Sequence, residues 1–163
     1  MSKLKNRIEI FPLSTGDYAA AMALWQGCDG IRLRQENASG TFFYRFIARN
    51  SGLCLGAWIK DQLIGAVLVG HDSRRAYLYH LAVAQIHRRQ GIGRRLVQAV
   101  LKELRRIDIS KAHLFVEMDN EEGMSFWQAI GAEHRTDLTA FSLTAGATQP
   151  LKEGGQDWPL AFI

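Results

Sequence analysis

The sequence predicts an α/β domain built on a mixed sheet, and three features carry that expectation. Short runs with apolar residues at alternate positions, such as Arg7-Ile8-Glu9-Ile10-Phe11, read as half-buried strands. Longer segments repeat apolar residues at helical spacing, above all Ile92, Leu96, Val97, Val100, Leu101, Leu104 and Ile107. A glycine bend, His87-Arg88-Arg89-Gln90-Gly91-Ile92-Gly93-Arg94-Arg95, joins a strand-like run to that amphipathic helix.

Each element has its own signal. Pro12 ends the first strand, and Ser14 with Asp17 resembles a capping box. The helix it opens runs through Tyr18, Ala21, Met22 and Trp25 and should stop near Gly27. Cys28 to Gly40 is polar and irregular, a loop. Thr41 to Arg49 reads as a second helix, with Phe42, Phe43, Phe46 and Ile47 on one side and Asn50-Ser51-Gly52 as its stop. Leu53 to Ile59 and Leu63 to Val69 form a hairpin about Lys60-Asp61-Gln62. The turn His71-Asp72-Ser73-Arg74-Arg75 delivers the strand Ala76 to Val83. After the bend and its helix come a strand over Lys111 to Met118, a helix over Glu121 to Ile130 and a last strand over Thr139 to Thr144. Beyond Ala145 the composition turns to Gly, Pro and Gln, so residues 146–163 read as a tail on a single domain spanning residues 1–145.

Composition narrows the function classes. A chain of 163 residues suits one domain with a sizeable core, and 47% hydrophobic with 22% charged residues is ordinary for a soluble protein. Met1 to Arg7 carries no apolar h-region, and Leu63 to Val69 is too short to span a bilayer, so the expectation is a cytoplasmic protein without a membrane partner. Cys28 and Cys54 show no metal-ligand spacing, so no metal is expected. The net charge of +4 is concentrated: Arg88, Arg89, Arg94, Arg95, Lys102, Arg105, Arg106 and Lys111 face only Glu103 and Asp108 in that stretch. Such a cluster at a helix start fits a compact polyanion at least as well as a duplex backbone. No aromatic–basic alternation of the single-strand-binding kind accompanies it, and nucleic acid is not the expected partner.

The bend itself points to phosphate. Two glycines leave backbone N–H groups uncovered at the positive end of a helix, a seat for a phosphate or pyrophosphate. Other glycine motifs do not fit. Leu96 stands where a dinucleotide fingerprint needs its third glycine, and no Lys-Ser/Thr pair of a P-loop follows. Gly123-Met124-Ser125-Phe126-Trp127 imitates a nucleophile elbow, but Trp127 replaces its second glycine.

Read together, His80-Leu81-Ala82-Val83, Arg88-x-x-Gly91-x-Gly93, the amphipathic helix, a strand ending at Asn120 and Phe126-Trp127-Gln128-Ala129-Ile130-Gly131 resemble the GNAT superfamily of acyl-CoA-dependent N-acyltransferases. The resemblance covers about Arg7 to Thr144. The Cys28-Asp29-Gly30 loop and the Gly70 to Arg75 turn resemble a bacterial subgroup of unassigned substrate. The resemblance implies a mixed, mostly antiparallel sheet flanked by helices, its fourth and fifth strands splayed near Val83. It implies acetyl-CoA as donor, with the amides of Arg89, Gln90, Gly91, Ile92, Gly93 and Arg94 on the pyrophosphate and Arg88 in phosphate contact. Backbone groups of Leu81, Ala82 and Val83 would pair with pantetheine like an added strand, and Asn120 would bond the same arm. Paired protomers are a further implication, making a homodimer an expectation of the resemblance alone.

Transfer to an amine needs proton management. At the ordinary lysine pKa of about 10.4, only about one amine in a few thousand is neutral at pH 7. Glu117, near the end of its strand, is the candidate proton acceptor; its plain reading is a solvated strand residue. Tyr77 and Tyr79 share one strand face and sit where relatives carry bases, but tyrosine is a poor base at neutral pH. Tyr79 therefore holds a relay water, shapes the pocket, or packs in the core with its hydroxyl at the rim. Strict alternation puts His80 on the other face with Leu78, as a hydrogen-bonded core histidine, unless a bulge intervenes. Many relatives carry a tyrosine acid at the position of Trp127, whose indole cannot ionise usefully. The expected activity is N-acetylation of a primary amine by direct attack in a ternary complex. The rivals are a non-catalytic acyl-CoA sensor and a basic nucleic-acid-binding module.

Overall fold

A computed structural model describes residues 7–34, 38–143 and 145. Five strands lie in chain order across one sheet. These are β1 (Ile8–Pro12), β2 (Leu55–Ile59), β3 (Gln62–His71), β4 (Ala76–Val83) and β5 (Ala112–His113). Successive pairs are antiparallel except β4 with β5, which run parallel. The helices are α1 (Tyr18–Gln26), α2 (Gly40–Arg49), α3 (Ile92–Arg106) and α4 (Glu121–Ala129). Among the described residues no helix is long and apolar enough to cross a membrane.

The central strand explains the layering. β3 is buried on both faces: Leu63, Ala66 and Leu68 pack with Trp25 of α1 and Phe43 of α2, while Ile64, Val67 and Val69 pack with Leu96, Val100 and Leu104 of α3. A continuous apolar run is what a strand covered on both sides requires. Ile92, Leu96, Val100 and Leu104 recur every fourth residue along α3, and all four are essentially fully buried. The capping signal at Ser14 and Asp17 is matched, and α2 has a cap one residue before Gly40. Asp17 accepts the Ser14 N–H at 2.7 Å, and Ser39 caps α2 by accepting from the Phe42 N–H at 3.1 Å.

Two expected strands are corrected. The strand expected over Lys111 to Met118 is only Ala112–His113, paired at Ala76↔Ala112 and Tyr77↔His113. Beyond Tyr77 the two chains part, and without a ladder Leu114 to Glu117 has no regular structure despite its β-favouring residues. The chain also divides into two compact units between Ala132 and Glu133. In the second unit Arg135 clasps Asp137 through bonds of 2.7 and 2.6 Å. The strand expected over Thr139 to Thr144 is absent among its described residues, which have no regular structure, and Thr144 lies outside them. Alternation supplies two faces but not a partner, and a strand exists only where its N–H and C=O groups find a ladder. The expected tail beyond Ala145 also falls outside the described residues.

Candidate active site

A bulge in β4 organises the site. Leu68 pairs with Tyr79 and Ala66 with Ala82, so His80 and Leu81 together oppose Val67. His80 takes the left-handed conformation, with φ of 51°, and its carbonyl accepts the Trp25 Nε1–H at 2.8 Å. The extra residue breaks the alternation. Tyr79 meets the Phe46 ring at 5.9 Å and His80 meets the Trp25 ring at 5.3 Å, both on the α1–α2 face. The placement of His80 beside Leu78 is therefore corrected: the bulge turns it to the Tyr79 side. Nor is it a hydrogen-bonded core histidine, since its buried Nδ1 has no partner among the described residues.

Where β4 and the Leu114–Glu117 segment part, a cleft of about 200 Å³ opens. Tyr79, His80 and Leu81 line it from β4 and Glu117 from the parted segment, and Asn120 and Trp127 also line it. Gly30, Ile31 and Arg32, from the connection between α1 and α2, reach the same cleft. The Ala84 N–H bonds to the Ile64 carbonyl at 2.8 Å, so alternation aims the main-chain groups of Val83 at the cleft-side edge. There the Val83 carbonyl already accepts the Arg88 Nε–H at 3.1 Å and lies 3.6 Å from the Cys28 thiol.

The glycine corner follows at the end of β4. Arg89 and Gly91 have φ of 60° and 76°, alternating with ordinary residues, a conformation that gathers successive N–H groups into a concavity. The first bond of α3 is Arg95 N–H to Gly91 carbonyl at 3.0 Å. Among the described residues, the N–H groups of Arg89, Gln90, Gly91, Ile92, Gly93 and Arg94 donate to nothing. Gly91 is needed for its backbone conformation, whereas Gly93 is needed for space: a Cβ there would lie 3.1 Å from the Phe126 ring of α4.

The arginines are less free than the sequence suggests. Arg88, bonded to Val83, also reaches Glu122 at 3.2 Å, and Arg89 lies 3.6 Å from the same carboxylate. These contacts use two of the five guanidinium N–H groups of Arg88, so a phosphate would meet the remaining donors beside a carboxylate already in place. Asn120 is similarly occupied on one side. Its Oδ1 accepts the Gly123 N–H at 2.8 Å and caps α4, leaving the amide NH₂ beside Gly30 as a donor.

Four titratable side chains line the cleft: Arg32, Tyr79, His80 and Glu117. Glu117 is 3.6 Å from Arg32, which also reaches Asp119 at 3.2 Å. Burial, reinforced by Tyr77, pushes the Tyr79 hydroxyl above the ordinary phenol range, so it stays protonated and acts as donor at neutral pH. Burial holds His80 below the ordinary imidazole value, so it is neutral there. Trp127 contacts Phe126 at 5.1 Å between ring centroids and presents no ionisable group. Arg32 was not legible as a site residue, because 85 or more positions separate it from the carboxylates it meets and only the fold joins them.

A five-stranded mixed sheet with a parted β4–β5 edge and a glycine corner defines an acyltransferase fold of the α/β class. Comparison with known proteins gives the family: residues 18–132 match the Acetyltransferase (GNAT) family, and the chain belongs to it. It is an acyltransferase enzyme. A curated acetyltransferase of Pectobacterium atrosepticum is 29% identical over 126 residues, covering 77% of this chain and 88% of that protein. Among solved structures, the PaiA N-acetyltransferase of Thermoplasma acidophilum, in complex with coenzyme A, matches with a TM-score of 0.69 at 24% identity, covering 76% of this chain and 87% of that one. The ribosomal-protein-S18-alanine N-acetyltransferase of Escherichia coli matches with a TM-score of 0.63 at 23% identity, covering 77% of each chain. These likenesses establish a shared fold.

Proposed function

We propose that the protein moves an acetyl group from acetyl-CoA to a primary amine by direct attack within a ternary complex. The observation that carries this reading is the run of unpartnered N–H groups from Arg89 to Arg94 at the positive end of α3, beside the parted edge of β4. Amide donors at a helix start suit a diphosphate, and an open strand edge suits an amide-rich pantetheine arm. Leu81 and Val83 would supply that edge, while Ala82, named with them from the resemblance, turns its main-chain groups to β3 in the same alternation. Asn120 retains its amide NH₂ for the arm.

Glu117 is the proposed proton acceptor for the incoming ammonium, exchanging its Arg32 partner for the substrate. Tyr79 stays protonated and positions the amine or a relay water. The nitrogen lone pair bonds to the carbonyl carbon, and the Leu81 N–H, taken out of register with β3 by the bulge, donates to the developing oxyanion. The C–S bond then breaks, and the second proton on the new amide nitrogen passes to the departing thiolate. A thiol with a pKa near about 8.5 departs largely as thiolate, so Trp127 need not donate a proton.

A second reading, an acyl-CoA-binding sensor, draws on Trp127 in the place of an acid. Thermal stabilisation by CoA together with amine-dependent thiol release tests the enzyme reading. Stabilisation without release from any amine supports the sensor, and absence of both overturns the donor assignment.

A further inference from the structure

A second cavity, of about 330 Å³, lies between α2 and the start of β4. Its two sides differ in chemistry. On α2, Phe42 and Phe46 are one helical turn apart and in ring contact at 5.5 Å, and Arg45 and Arg49 form the neighbouring column at the same spacing. Across from them, Tyr77 and Tyr79 stack at 6.5 Å with ring planes 23° apart. Gly70 lies beneath, where a Cβ would come within 3.1 Å of the Phe46 ring. Tyr79 lines both this cavity and the cleft at the parted strands.

The charges are unbalanced. Among the described residues, neither Arg45 nor Arg49 makes an ion pair or side-chain hydrogen bond. Asp72 also borders the cavity, but its Oδ1 accepts the N–H groups of Arg74 at 2.8 Å and Arg75 at 2.6 Å, which ties it to its own turn. His71 likewise accepts the Ser73 N–H through Nδ1 at 3.1 Å. Two unpaired guanidinium forks therefore stand beside an aromatic slot, a combination that suits a planar apolar body ending in an oxyanion.

We propose that this cavity seats the acceptor, and that the acceptor is a small amine whose aromatic or apolar body carries an anionic group. The anion meets Arg45 and Arg49, the body lies against Phe46 and Tyr77, and the amine reaches the cleft past Tyr79. The proposal deepens the amine-acetyltransferase reading and rests on it for the role of the amine. The volume sits at the small end of the range for compact organic ligands, which favours a molecule over a folded partner.

The test is calorimetric binding to the full chain with CoA present. The probes share an aminomethyl arm and differ at the para position: para-(aminomethyl)benzoate and its phosphonate counterpart with an anionic group, para-(aminomethyl)benzamide with an uncharged one, and para-(aminomethyl)benzamidine with a cationic one. The two anions should bind about five- to tenfold tighter than the amide, the scale of one or two exposed charge pairs, and the benzamidine weakest. The ranking of the two anions tells carboxylate from phosphate. The preference should vanish in R45Q/R49Q and invert in R45E/R49E, while CoA affinity is unchanged. Equal or tighter binding of the amide, binding of no probe, or a preference that survives R45Q/R49Q overturns the proposal. Failure of the acetyltransferase reading looks different: the anion preference persists, but CoA does not bind and acetyl-CoA releases no thiol.

Discussion

The indole of Trp25 donates its Nε1–H to the main-chain carbonyl of His80 at 2.8 Å, fastening the bulge of β4 to helix α1. A strand left to itself does not hold a left-handed residue in mid-run, and this bond is one of the interactions that make it do so here.

Replacing Trp25 with Phe keeps a ring but removes the donor, leaving the His80 carbonyl without it. Trp25 is 2% exposed, so the loss should cost about 1–3 kcal/mol in urea unfolding. Acetyl transfer should fall more than CoA affinity does, because the bulge sets Leu81 and Tyr79 rather than the glycine corner.

The two corner glycines should fail in different ways. Gly91→Ala meets open space but must hold φ of 76°, a strain of about 1–2 kcal/mol, and nothing nearby can relieve it. Gly93→Ala instead presses its methyl against Phe126. Both should weaken CoA-dependent thermal stabilisation, but only Gly93→Ala should recover when Phe126 is changed to Leu.

Glu117→Gln keeps the shape of the cleft wall and removes its proton acceptor. Amine-dependent thiol release should fall by about a hundredfold at neutral pH, within the usual range for losing a general base, while CoA still stabilises the fold. Unchanged release would move the role to another group in the cleft.

His80 gives the fold a pH signature. Its folded-state pKa lies below the ordinary 6.5, so between those two values the unfolded chain binds a proton that the folded chain refuses. Stability is therefore present in full above about pH 6.5 and declines as the pH falls toward the folded value, by at most about 1.4 kcal/mol per pH unit. Urea midpoints measured from pH 7 downward should show this slope in the parent and a flatter one in His80→Gln.

Much of this was legible in the chain because it rests on short-range signals. The periodicity of Ile92, Leu96, Val100 and Leu104 defines α3, and the double-faced run from Leu63 to Val69 defines the central strand. The glycine corner was legible for the same reason, since N–H exposure at Arg89 to Arg94 follows from local backbone geometry. The facing of His80 was not, because one inserted residue reverses every side chain beyond it and the insertion is visible only against β3. Arg32 beside Glu117 and Asp119 escaped for a related reason: their meeting depends on the loop and the β5–α4 connection closing on one another. The strand beyond β5 shows the converse error, an alternating pattern with no neighbour to pair with.

Glu122 has a consequence for how tightly any polyanion can be held. Because its single carboxylate already engages both Arg88 and Arg89, a diphosphate docking there as proposed would meet a partly compensated positive field, not a bare one. Capture at the proposed seat would then be in part an exchange of counterions, less sensitive to ionic strength than the count of arginines implies.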